Sequence, residues 1–66
     1  MRVYVRVKDI PLGTIYRTPA DGYQDFNRQM AKAIGAIVSM NQQTNEWLYS
    51  EEYGYFSYNW VEFVSY

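Results

Sequence analysis

The chain opens on a strict alternation. Val3, Val5 and Val7 fall on one side of an extended backbone, and Arg2, Tyr4, Arg6 and Lys8 on the other, the period of a half-buried β-strand. Residues 11–22, PLGTIYRTPADG, break that rhythm with two prolines, two glycines and an Asp-Gly step, which predicts an irregular connection. Within it GTIYR offers a short strand, Ile15 inward and Thr14 and Tyr16 outward. The spacing then changes: Phe26, Met30, Ala33 and Ile34 recur as one helical face, predicting a short helix over about residues 23–34 with Asp21 as its cap and Gly35 as its stop. Lys32 stands near the end of that helix, where positive charge suits the dipole.

The second half reads as strands and turns. AIVSM and EWLYS flank the polar NQQTN and predict a β-hairpin with a loop of about five residues. EEYG is a second turn, YFSYNW a strand ending in a tight turn near Asn59, and VEFVSY a closing strand with Val61 and Phe63 opposite Glu62 and Val64. Phe56 and Trp60 are assigned to the core with Val3, Val5, Ile37 and Phe63. Trp47 and Leu48 are neighbours and compete for the inward side. The inventory, about five strands and one short helix, gives a mainly β (α+β) fold in a single domain, residues 1–66. The architecture it favours is a small SH3-like five-stranded antiparallel barrel with the helix in an early connection, since a barrel removes most free edges. The alternative is an open antiparallel sheet with the helix packed across one face.

Composition sharpens this picture. In 66 residues there is no Cys and no His, while 20% are Phe, Trp or Tyr. Disulfides and the common zinc sites are excluded, and no stretch carries the spaced carboxylates of a calcium or magnesium loop, so no metal or cofactor is expected. Large rings, each burying on the order of 150–250 Å², are the expected means of stabilising so small a core. The N-terminal ten residues lack the apolar run of a signal peptide, and no stretch approaches the roughly 20 apolar residues of a membrane span. The expected location is the cytoplasm.

RVYVRVK at residues 2–8, MAKAIGAIVSM at residues 30–40 and YFSYNWVEFV at residues 55–64 resemble the small SH3-like barrel proteins encoded by phages and mobile elements. The resemblance covers about half the chain; the long PLGTIYRTPADGYQDF insert departs from it. It implies a non-enzymatic binder acting in a host cytoplasm. One form of that implication is an inhibitor of a host nucleic-acid-binding or defence complex, of anti-CRISPR type.

Charge is unevenly placed although the net is only −1. Residues 1–40 hold all six basic residues against Asp9, Asp21 and Asp25, a balance of +3; residues 41–66 hold Glu46, Glu51, Glu52 and Glu62 and nothing positive, a balance of −4. Without His, Cys or a nucleophile motif, and with its acids in turns or on outward positions, the chain is not expected to be an enzyme. Tyr49, Tyr53 and Tyr55 exceed what the core needs and stand beside Glu46, Glu51 and Glu52. Together these six residues form the candidate protein-binding face, which would steer toward a basic protein surface such as a host nucleic-acid-binding complex. Tyrosines that merely pave a sheet are the plain alternative. The rival site is the basic, ring-bearing row Arg2, Tyr4, Arg6 and Lys8, suited to a nucleic-acid strand. A pI of 5.1 weighs against it, and the same cations serve equally to protect an edge strand. Association of the chain with itself through exposed rings or strand edges is a third possibility.

Overall fold

In the computed structural model, residues 1–17, 22–44 and 46–65 are described, Ser65 by its backbone alone. The elements are β1 (Arg2–Val7), β2 (Ile15–Arg17), β3 (Tyr23–Asp25), α1 (Arg28–Ala31), β4 (Ile37–Gln42), β5 (Trp47–Ser50), β6 (Gly54–Ser57), a 3-10 turn (Tyr58–Trp60) and β7 (Val61–Ser65). Five strands form one antiparallel sheet in the order β6-β5-β4-β1-β7, and β2 and β3 form a separate hairpin. The fold is thus mainly β with one short helix, as the sequence predicts.

β1 is an interior strand of the sheet, between β4 and β7. Val3, Val5 and Val7 are fully buried on its inner side, while Arg2, Tyr4 and Arg6 are exposed. Its partners repeat the same split: Val3 faces Met40 and Val5 faces Val38 on β4, and Val5 and Val7 face Phe63 and Val61 on β7. The core gathers these valines with Phe26, Met30, Ala33, Met40, Leu48, Phe56 and Trp60. Phe26 stands between two other large rings, edge-on to Phe56 at 6.2 Å and to Trp60 at 5.4 Å. Phe56 and Trp60 are therefore core residues, and Phe63 packs half-buried against the core cluster.

Three expectations are corrected. The helix does not begin at residue 23: Tyr23–Asp25 is a strand paired with β2. The reason lies in the backbone of Phe26, whose N–H donates to Thr14 O at 2.8 Å and whose carbonyl accepts from Gly13 N at 2.8 Å. Those groups extend the hairpin and are not available to a helix. Of the expected helical face only Met30 lies in the helix; Phe26 and Ala33 are buried from the segments that flank it, and Ile34 is partly buried. Asp21, the expected cap, lies outside the described residues; the cap is Asn27, whose Oδ1 accepts from Met30 N at 3.0 Å. Nor does the helix run to Gly35: it ends at Ala31 with Lys32 as its C-cap, and Gly35, with φ +83°, lies in the turn beyond, its N–H donating to Val7 O at 2.9 Å. Second, Ile15 is 51% exposed and Tyr16 packs against the core, the reverse of the expected sides. Third, Ile37 is outside the core: it is in register with Arg6, and so shares the outer face, where it is 54% exposed.

Because α1 is a single turn, its cap carries much of its definition. Asn27→Ala is expected to cost about 1 kcal/mol, read as a lower urea midpoint at unchanged slope.

Candidate functional site

The outer face of β5 and β6 carries the rings that the core leaves over. Leu48 is fully buried opposite Phe56, so alternation turns Trp47 and Tyr49 outward. Tyr49 is in register with Tyr55 on β6, their ring centroids 4.8 Å apart. Trp47 meets Tyr55 edge-on at 6.5 Å and Tyr16 of the hairpin at 5.4 Å. The result is a continuous run, Tyr16–Trp47–Tyr55–Tyr49, in which Tyr55 is the most open ring at 48% exposure.

Hydrogen bonds in the flanking loops hold this run in place. Thr44 Oγ1 accepts from the N–H groups of Glu46 at 3.0 Å and Trp47 at 3.1 Å, and the Tyr58 hydroxyl donates to Thr44 O at 2.9 Å. At the other end of β5 the buried Ser50 Oγ accepts from Glu52 N at 3.3 Å and Tyr53 N at 3.1 Å. Gln29 of α1 also donates to Glu52 O at 3.1 Å. The turn that carries Glu51 and Glu52 is therefore ordered from both sides, with both residues exposed.

The six residues of the expected protein-binding face are distributed unevenly. Tyr49 and Tyr55 are in contact, and Glu51 and Glu52 occupy the adjoining turn. Glu46 lies at the far end of β5, roughly 16 Å away at the rise of an extended chain. Tyr53 is half-buried and packs against the core, so it takes no part in the ring run. Trp47 and Tyr16, absent from the expected set, do take part. Trp47 could be found from sequence, because alternation places it with Tyr49; Tyr16 could not, because its contact crosses from the hairpin to the sheet.

Arg2, Tyr4 and Arg6 do share the outer face of β1, and Lys8 is exposed just beyond the strand. Arg6 faces Glu62 across the β1–β7 pair, with Nη1 and Oε1 3.8 Å apart. Arg2 Nη1 donates to Ser39 Oγ at 3.3 Å. Among the described residues Arg6–Glu62 is the only ion pair, and none involves Glu46, Glu51 or Glu52. The two sets are joined laterally: Arg2 is in register with Asn41, Asn41 with Tyr49, and Tyr49 with Tyr55. One row of outward side chains thus leads from a cation on β1, across β4, to the rings of β5 and β6. No pocket opens on the described surface, and among the described residues no helix is long and apolar enough to cross a membrane.

Comparison with protein-family models, with curated proteins and with solved structures finds no match.

Proposed function

We propose that this chain is a non-enzymatic protein-contact module on a small SH3-like barrel, using the outer face of β5 and β6 against a basic protein surface. The strand order supports the barrel: a meander β4–β5–β6, the first strand between that meander and the last, and a single 3-10 turn leading into β7. The observation that carries the functional reading is the Trp47–Tyr55–Tyr49 ring run beside the exposed Glu51 and Glu52, which have no ion-pair partner among the described residues. Rings supply apolar area and accept cations over their faces. Free carboxylates at the margin steer a positive partner and speed its encounter. Resemblance to phage and mobile-element barrels extends the proposal to a host nucleic-acid-binding or defence complex as the partner, since a phosphate-binding groove is a basic surface of this kind.

The β1 row is less well suited to nucleic acid, because Arg6 is tied to Glu62 and the adjoining rings are bordered by free carboxylates. Titration with an arginine-rich peptide, followed through the emission of the half-exposed Trp47, tests the proposal. Binding is expected to weaken about tenfold or more in Glu51→Lys/Glu52→Lys, and to weaken as salt is raised. Equal affinity in the charge-reversed variant would remove the acidic face from consideration. A single-stranded oligonucleotide, run in parallel, is expected to bind no more tightly to the wild type than to an Arg2→Ala variant.

A further inference from the structure

Ile37 lies in the outer face of the sheet at 54% exposure, and Tyr4 and Tyr55, to either side of β4, are each 48% exposed. A purely ionic partner gains nothing from a bare isoleucine; covering it takes an apolar group. Charge on this face is graded by strand. Arg6 of β1 and Glu62 of β7 pair with each other, leaving Arg2 and Lys8 as the cations of β1 and its exit; β4 (IVSMNQ) has no charge, and Glu46, Glu51 and Glu52 border β5 and β6. A surface that runs from positive through neutral and apolar to negative is complementary to itself when turned about a two-fold axis along its middle strand.

We infer that the outer face of the sheet is the interface of a two-fold homodimer, with β1 of a second copy as the basic surface. This deepens the proposed function and rests on its claim that the face contacts protein. With the axis along β4, Arg2 and Lys8 of each copy lie over the Glu51–Glu52 side of the other. The rings of β5 and β6 meet Tyr4, and the two Ile37 side chains approach each other near the axis. A standard interface removes about 800 Å² from each partner, about a fifth of the 4260 Å² this chain exposes. A five-stranded face roughly 20 Å across its strands is of that order. Association of this kind is also a recognised means of stabilising a domain of this length.

Sedimentation equilibrium on the full chain, from micromolar to near-millimolar concentration, tests the inference. The mass is expected to rise from 7.9 kDa to twice that value, less readily at high salt. Glu51→Lys/Glu52→Lys and Arg2→Glu/Lys8→Glu each place like charges on both halves of the face, so each alone is expected to associate at least tenfold more weakly. Mixed together they restore both contacts and are expected to form a heterodimer. Ile37→Lys is expected to stay monomeric where the wild type is dimeric. All these positions are exposed, and far-UV circular dichroism verifies that each variant is folded; if one is not, the wild-type series alone decides. A monomeric wild type at every concentration overturns the inference, as does a charge-swapped mixture that stays monomeric or an Ile37→Lys variant that associates as the wild type does. A monomer that still binds the arginine-rich peptide through Glu51 and Glu52 removes the dimer and leaves the proposed function standing.

Discussion

Phe26→Ala is expected to leave the chain largely unfolded at room temperature. Phe26 is fully buried and touches both other large core rings, Phe56 and Trp60, edge-on. Truncating a buried Phe costs about 3–5 kcal/mol through lost transfer energy and the cavity left behind. The two edge-on ring pairs add about 0.5–1.5 kcal/mol each beyond the area they bury. Domain stabilities run from about 5 to 15 kcal/mol, and a 66-residue chain without disulfides belongs at the low end. Phe26 also joins the β2–β3 hairpin to the helical turn, so its loss loosens the attachment of both. Urea denaturation followed by near-UV circular dichroism should show little or no native baseline. A cooperative transition within about 1 kcal/mol of wild type would mean that the ring cluster is not the centre of the core; Phe26→Leu, which fills more of the space, should fall between.

The second large effect separates two adjacent residues. Leu48→Ala is expected to cost about 2–5 kcal/mol, because Leu48 is fully buried opposite Phe56. Trp47→Ala removes the larger side chain yet is expected to cost less, about 1–3 kcal/mol for its two edge-on contacts with Tyr16 and Tyr55. The ordering is opposite to the one that residue size alone suggests. Chemical denaturation of the two variants side by side reads it directly, and a Trp47→Ala variant less stable than Leu48→Ala would reverse the assignment of the two faces of β5. The same Trp47 variant should lose affinity for the arginine-rich peptide, which Leu48→Ala, where it folds, should keep.

That pair also shows how far the sequence carries. Alternation in residues 2–7 is enough to identify β1 and its buried valines, and the turn residues between residues 42 and 54 delimit β5. Period alone does not say which row of a strand is inward, and the choice between Trp47 and Leu48 is made by the partner Phe56, eight positions on. Ile15 and Tyr16 take the opposite sides from those hydrophobicity predicts for the same reason: the inward side of β2 is set by where the hairpin docks. Ile37 is apolar but stands opposite Arg6, and register overrides its composition. The helix is shorter than its period predicts because Phe26 fits a helical face while its backbone groups bond to Gly13 and Thr14. Of the candidate site, Tyr49, Tyr55, Glu51 and Glu52 were legible because turns and alternation expose them. The lateral link from Arg2 through Asn41 to Tyr49 was not, since it depends on strand order, which no local pattern encodes.

Strand order has a further bearing on how the protein comes into being. β1, residues 2–7, is flanked by β4 on one side and by β7, residues 61–65, on the other. One flank of β1 therefore closes only against a strand far away in sequence, and pairings so distant close slowly. Joining β1 to β7 is expected to be the slow step in completing the sheet.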